Sequence, residues 1–243
     1  MKLLEFYQAA VELVRRDLKK QKMLLPPDSI AELCAQHHRK HRSLAEKLAS
    51  GDELCNIYAL QKAFPRSGTE IADFDALEFA KTFAAKKASA LAMVTEKHYY
   101  RGEPSMLTGV AHLIDLPIIR WDFVVESYQL MQSKLWGADA VRVIVPLLDQ
   151  IELADLYKKA VELELELIWE IHSAADAERI AGFEQSRILY WDGDEIDFSS
   201  AENILKNLSY TAPALVNGDS VDCNEISRGV FNGTVLFQKA AAQ

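Results

Sequence analysis

Short apolar runs alternate with amphipathic stretches of helical length along most of this chain. The runs are CNIYALQ (55–61), ALAMV (90–94), LPIIRW (116–121), AVRVIV (140–145), ELIWEI (166–171), RILYW (187–191), PALVN (213–217) and GVFNG (229–233), and each reads as a strand. Between them, FDALEFAKTFAAKKA, SYQLMQSKLW and QIELADLYKKAVELE place apolar residues every three or four positions, the period of a helix with one buried face. Strands interleaved with helices predict an α/β protein with a parallel sheet, and eight of them in about 180 residues predict a closed (β/α)8 TIM barrel over residues 51–243. A doubly wound open sheet is the competing architecture. No GxGxxG follows the first run and the strands do not divide into two halves, which favours the barrel.

Residues 1–50 carry a different pattern and read as an N-terminal helical extension packing on the barrel. One helix runs to about Gln21, Pro26-Pro27 breaks it, and a second is expected from Asp28 through Ser43 to Leu48, closed by Gly51. Within the second lies HHRKH (37–41), where helical spacing would put His37 and His41 on one face. No carboxylate or cysteine completes a metal ligand set there, so a solvated basic face is preferred to a metal or anion site. At the other end, few residues separate Asn217 from Gly233, and the last two βα units are expected to be shortened.

Composition narrows the function classes. With 27 Lys plus Arg against 36 Asp plus Glu, the net charge of −9 argues against a nucleic-acid partner, which needs a basic face. No stretch approaches the roughly 18 apolar residues of a membrane span, so no membrane partner is expected. Glu5 and Glu12 interrupt the apolar character a signal peptide needs, and Cys34, Cys55 and Cys223 have no paired spacing. A cytoplasmic setting follows as the expectation, with no metal and no cofactor. Only 10 glycines are present where average usage gives about 17, which leaves little material for a backbone phosphate cradle.

In a barrel of this kind the chemistry sits at the C-terminal ends of the strands. Here those tips carry a resemblance. The stretches IADFDALEFAKTFAAKKASALAMVTEKHYYRGEPSML and LPIIRWDFVVESYQLMQSKLWGADAVRVIV resemble indole-3-glycerol-phosphate synthase, whose third and fourth strands read like LPVLRKDFIIDPYQIYEARAAGADAVLLI. The likeness is close from about 70 to 150, fair through LIWEIHSAADAERI (167–180), and poor beyond about 199. It implies a barrel of tryptophan-biosynthesis ancestry whose extension covers the bottom. It also implies a carboxy-lyase reaction in which an aryl carbon attacks a ketone and the closing indole ring loses carbon dioxide and water.

The same resemblance locates the groups such a reaction needs. The first-strand glutamate and lysine of the family fall at Ala59 and Gln61, with Phe64 replacing a serine. The third-strand lysine, the general acid, falls at Trp121, and the fifth-strand glutamate, the proton carrier, is kept as Glu170. The sixth-strand asparagine falls at Trp191, the seventh-strand glutamate roughly at Asn217, and the phosphate grip is reduced to Arg66, Gly233 and Thr234. A tryptophan N–H donates a hydrogen bond but does not protonate an oxygen at neutral pH. Strand alternation suggests that Trp121 and Trp191 point inward. Among aromatics, Glu170 should have a raised pKa and pair with Arg66, Trp121 or Tyr190. Lys62, Lys97, His98 and His172 are the remaining titratable groups near the rim.

Two functional expectations stay open at this point. The barrel has lost the synthase reaction and is a non-catalytic or repurposed binding protein, its pocket either filled by rings or rebuilt for a flat ligand. Alternatively it keeps weak synthase activity, or is a carbon–carbon lyase with a changed substrate, through Glu170. A small phosphorylated or aromatic ligand, a monomer or homodimer, and a tryptophan-pathway protein partner are the corresponding partner expectations.

Overall fold

The computed structural model describes residues 3–50, 54–184, 187–192, 213–218 and 231–237. The segments after the last two strands, 219–230 and 238–243, where the shortened units are expected, lie outside the described residues, as do 193–212 and Cys223.

Eight parallel strands close into a barrel. In chain order they are β1 (Cys55–Leu60), β4 (Ala90–Met93), β5 (Ile118–Arg120), β6 (Ala140–Ile144), β7 (Glu166–Ile171), β8 (Arg187–Trp191), β9 (Ala214–Asn217) and β10 (Gly233–Phe237), and β10 returns to pair with β1. The short antiparallel pair β2 (Ala63–Phe64) and β3 (Thr69–Glu70) forms a hairpin in the loop after β1. Helices α4 (Ala76–Ala85), α5 (Pro104–Leu113), α6 (Ser127–Trp136), α7 (Gln150–Glu162) and α8 (Ala174–Arg179) follow successive strands. Two side-chain sets result from strand alternation. Ile57, Ala59, Ala92, Ile119, Ile168, Ile188 and Val235 fill the interior, whereas Leu167, Trp169 and Leu189 face the helices.

The last strand lies later than its apolar run suggests. GVFNG is not the strand: pairing begins at Gly233, opposite Cys55 of β1 and Leu215 of β9, and continues to Phe237. The reason is close approach of backbones, since a Cβ on Gly233 would lie 2.6 Å from the Cys55 carbonyl oxygen and 3.1 Å from a Leu215 methyl carbon.

The extension also departs from expectation. Helix α1 (Leu3–Leu24) is as anticipated, but the single helix from 28 to 48 is two, α2 (Pro27–Gln36) and α3 (Leu44–Ala49), separated by non-helical residues. The HHRKH segment is therefore not a helical histidine face: His38 and Lys40 are exposed, as the solvated reading expects, while Arg39 turns inward. Both Nη atoms of Arg39 donate to the fully buried Asp139 carboxylate at 2.9 and 3.2 Å, and the Arg42 and Ile118 backbone N–H groups add bonds of 3.0 and 2.9 Å. These long-range bonds outweigh the local helical preference and stretch the chain across the start of β6.

The extension reaches both ends of the barrel, not the bottom alone. At the bottom, Leu44 and Leu48 of α3 plug the interior cluster, and Glu166 accepts from Leu44 N at 2.6 Å and Ser43 Oγ at 2.6 Å, capping that helix. Helix α1 instead lies across the strands' C-terminal ends. Asp17 takes Lys97 at 2.9 Å and His98 at 2.6 Å from the loop after β4, Arg15 meets Glu152 at 2.6 Å, and Lys22 pairs with Glu126. Its buried Tyr7 ring packs edge-on against Phe123 with centroids 5.2 Å apart. Among the described residues no helix is long and apolar enough to cross a membrane.

Candidate functional site at the barrel mouth

Beneath α1, the strand ends enclose a cavity of about 230 Å3. Six rings line it, Phe64, Tyr100, Trp121, Phe123, Phe237 and, from α1, Tyr7, together with Leu3, Pro65 and Val94. Its polar lining comes from Gln61, Arg66, Ser67, Glu96, Asp122, Arg142, Asp192 and Asn217. Ala59 lies deeper, within the barrel interior, and is fully buried.

Trp121, just past β5, points inward and reaches across the barrel. Its ring meets Tyr190 of β8 edge-on at 4.8 Å and Phe237 of β10 at 6.2 Å, so it occupies the centre of the mouth. Edge-to-face contacts of this kind add roughly 0.5–1.5 kcal/mol to the burial of the rings.

Glu170 does not line the cavity. Its carboxylate has no exposed surface and is held by Arg142 Nε at 2.6 Å and His172 Nε2 at 2.8 Å. Burial pushes its carboxyl pKa up, but the Arg142 charge and the His172 contact outweigh burial and hold it below the ordinary 4.5. The expectation of a raised pKa, with Arg66, Trp121 or Tyr190 as partner, is corrected on both counts. The partner is an arginine inside the apolar run AVRVIV, where the resembling family string ADAVLLI has leucine. That lone charge in a strand was the signal in the sequence, and it was missed.

Arg142 itself is nearly closed to solvent, with 6% of its side chain exposed. Burial works against its charge, yet Glu170 more than compensates and keeps it protonated. Its guanidinium carbon sits 4.9 Å from the Trp121 ring centroid and 5.4 Å from that of Tyr7. Burial, with Glu170 adding to it, raises the Tyr7 phenol well above its ordinary value, and burial above all pushes Tyr100 up to about 12. The mouth therefore holds phenols, not phenolates, near neutrality.

Three further positions are corrected. Trp191 packs outward with Trp169 and the helices, because Ile188 and Tyr190 take the inward phase of β8; the pocket receives Asp192 in its place, and Tyr190 packs against Trp121. Gly233 and Thr234 begin β10 at the bottom of the barrel, where Thr234 Oγ1 bonds Asn56 at 3.1 Å, far from any phosphate at the mouth. Arg66 remains at the cavity, and Asn217 donates to Asp192 at 3.0 Å. Lys62 pairs with Glu70 in the hairpin at 3.4 Å, and Lys97 and His98 are tied to Asp17 of α1. Among the described residues no group of three or more His, Cys, Asp or Glu is placed to hold a metal ion.

A closed eight-stranded parallel barrel with its polar groups gathered at the strands' C-terminal ends is a (β/α)8 barrel of the kind that carries enzyme sites. The sequence profile described as Indole-3-glycerol phosphate synthase matches residues 8–189. The chain belongs to the indole-3-glycerol phosphate synthase family. A curated relative of that name from Priestia megaterium is 33% identical over 150 residues, covering 61% of this chain and 59% of that protein. One from Campylobacter jejuni is 31% identical over 166 residues, covering 68% and 64%. In both cases the chain spans less than two thirds of the relative's length. Among solved structures, a phosphonopyruvate hydrolase in complex with oxalate and magnesium shares the fold, with a TM-score of 0.59 at 12% identity over 79% of this chain and 78% of that one.

Proposed function

We propose that this barrel of tryptophan-pathway ancestry has lost the ring-closing reaction and serves as a binding protein for a small ligand at its mouth. The observation that carries the reading is the state of the two groups the reaction would use. The position of the general acid is filled by Trp121, whose indole packs on Tyr190 at 4.8 Å. The retained carboxylate, Glu170, is consumed by an ion pair with Arg142 at 2.6 Å and has no surface in the cavity. Positioned acid–base groups contribute roughly 10²–10⁴-fold each to such reactions, so their loss is sufficient to abolish useful turnover. A cytoplasmic setting, a monomeric or homodimeric state and an association with a tryptophan-pathway protein belong to the same reading.

A carbon–carbon lyase acting on a changed substrate is the second reading, favoured by the His172–Glu170 contact of 2.8 Å. Both are tested by complementation of a synthase-deficient tryptophan auxotroph, with the purified protein assayed in parallel for carbon dioxide release from the family's substrate. The expected result is no growth and no release, followed by growth when Ala59→Glu, Gln61→Lys, Trp121→Lys and Arg142→Leu are introduced together. Growth of the unmodified gene at a normal rate sinks the proposal.

A further inference from the structure

We propose that the first two turns of α1, residues 3–10, form a gate over the barrel mouth, locked where the Arg142 guanidinium meets both the Tyr7 ring of α1 and the Trp121 ring of the barrel. The inference goes beyond ligand chemistry to how anything enters the mouth, and it holds whatever the mouth binds.

The lock is built from the barrel side. Glu170 holds Arg142 Nε at 2.6 Å, so the barrel alone fixes where the guanidinium sits. Its central carbon lies 4.9 Å from the Trp121 ring centroid and 5.4 Å from that of Tyr7, and the second contact reaches across to α1. A cation–π contact taken out of water shifts an equilibrium by about 30-fold, against only a few-fold at an exposed site. Around it, Tyr7 meets Phe123 at 5.2 Å and Phe6 meets Tyr99 edge-on at 4.9 Å, so rings hold the closed state. The ion pairs of α1 to Lys97, His98, Glu152 and Glu126 leave from Arg15, Asp17 and Lys22, two turns or more beyond Tyr7.

A second cavity adjoins the same turns and gives them room to move. It holds about 330 Å3 and is lined by Leu3, Phe6, Pro65, Arg66 and Tyr99. Leu3, Pro65 and Arg66 line the mouth cavity as well, so the two spaces meet at the start of α1 and the turn between β2 and β3. A displacement of Leu3 and Tyr7 toward the second cavity joins the two, while residues 15–22 stay seated through their ion pairs. Such a movement is a local opening of one segment and needs no unfolding of the barrel.

Amide hydrogen exchange of the whole protein at residues 7–14, the first amides bonded within the helix, reads the gate. Tyr7→Leu, which removes the ring, should speed exchange there about tenfold or more, and Tyr7→Phe, which keeps it, by less than about threefold. Arg142→Leu with Glu170→Leu, which removes the guanidinium without stranding a charge, should speed it about fivefold or more. Exchange at residues 15–22 should stay within about twofold throughout, and salt at about 1 M should not open the gate, because the lock is buried. Access is read in parallel by placing a thiol on the cavity wall with Gln61→Cys and following its labelling by methyl methanethiosulfonate through peptide mass spectrometry. Labelling should quicken with Tyr7→Leu and not with Tyr7→Phe. Unchanged exchange in Tyr7→Leu or in the double variant, equal acceleration in Tyr7→Leu and Tyr7→Phe, acceleration spreading over residues 15–22, opening by salt, or labelling that does not follow exchange each overturns the inference. Growth of the auxotroph in the complementation experiment overturns the functional reading instead, so the two failures are separate.

Discussion

Arg142 Nε lies 2.6 Å from Glu170 Oε2, two side chains from neighbouring strands that are 6% and 0% exposed. Removing one member of such a pair strands a buried charge, whereas removing both does not. Arg142→Leu alone should lower the unfolding free energy by about 3–5 kcal/mol, and Arg142→Leu with Glu170→Leu should return close to the unmodified protein. Urea unfolding of the single and double variants reads the difference; equal losses in both would show that the pair contributes packing rather than charge.

The same pair sets an acid limit. Because the folded Glu170 pKa lies below its ordinary 4.5, its contribution to stability is full above that pH and is lost as pH falls through the folded value. The stability gap between the unmodified protein and Glu170→Gln should be constant from pH 7 to 5 and close below about 4.5. A gap independent of pH down to 3 contradicts the assignment.

An alkaline limit comes from the phenols. The Tyr100 pKa is raised from 10.0 to about 12, chiefly by burial, and the Tyr7 and Tyr190 values are raised too. Stability from these groups is full below pH 10, where the unfolded phenols begin to ionise, and is lost as pH rises toward the folded values. Absorbance titration should show Tyr7, Tyr100 and Tyr190 ionising only with cooperative unfolding. Ionisation of all the tyrosines near pH 10 without loss of structure rules this out.

Asp139 anchors the non-helical segment between α2 and α3. Burial lifts its carboxyl above the ordinary value against the pull of Arg39, so part of the ion-pair gain is already spent on desolvation. Asp139→Asn keeps one acceptor oxygen of two and should destabilise by about 1.5–3 kcal/mol, the range for bonds to charged groups. Hydrogen exchange should rise at residues 37–43 and at the Ile118 amide, which bonds Asp139 at 2.9 Å.

Two glycines should respond in opposite directions. Gly109 sits within α5 with nothing within 4 Å of an added Cβ, and Gly109→Ala should stabilise by about 0.5–1 kcal/mol. Gly233→Ala would press a methyl to 2.6 Å from the Cys55 carbonyl and should destabilise by about 1–3 kcal/mol. Thermal melts of the two variants decide it.

The strand–helix alternation was legible because buried parallel strands are compact apolar runs with helical patterns between them, and seven of the eight runs overlap the observed strands closely. What such runs do not show is phase. Ile188, Leu189, Tyr190 and Trp191 are buried on both sides of the strand, so nothing in their composition tells that Tyr190, not Trp191, faces inward. GVFNG misled because Gly233 opens the strand through backbone approach, which hydropathy does not register. The unbroken helix over 28–48 failed for a different reason: Asp139, about a hundred positions away, stretches residues 37–43 toward itself. Arg142 was readable, as a lone charge in AVRVIV, but its meaning required Glu170 on the adjacent strand.

Helices α1 and α3 seal opposite ends of the barrel, and their partners come much later in the chain. Ser43 and Glu166 are separated by 123 positions, Arg15 and Glu152 by 137, Arg39 and Asp139 by 100. The buried rings of Phe6 and Tyr7 likewise find their partners, Tyr99, Tyr100 and Phe123, about a hundred positions further along. Both caps of the barrel are therefore held by contacts of high sequence separation, the kind whose loop-closure cost slows folding.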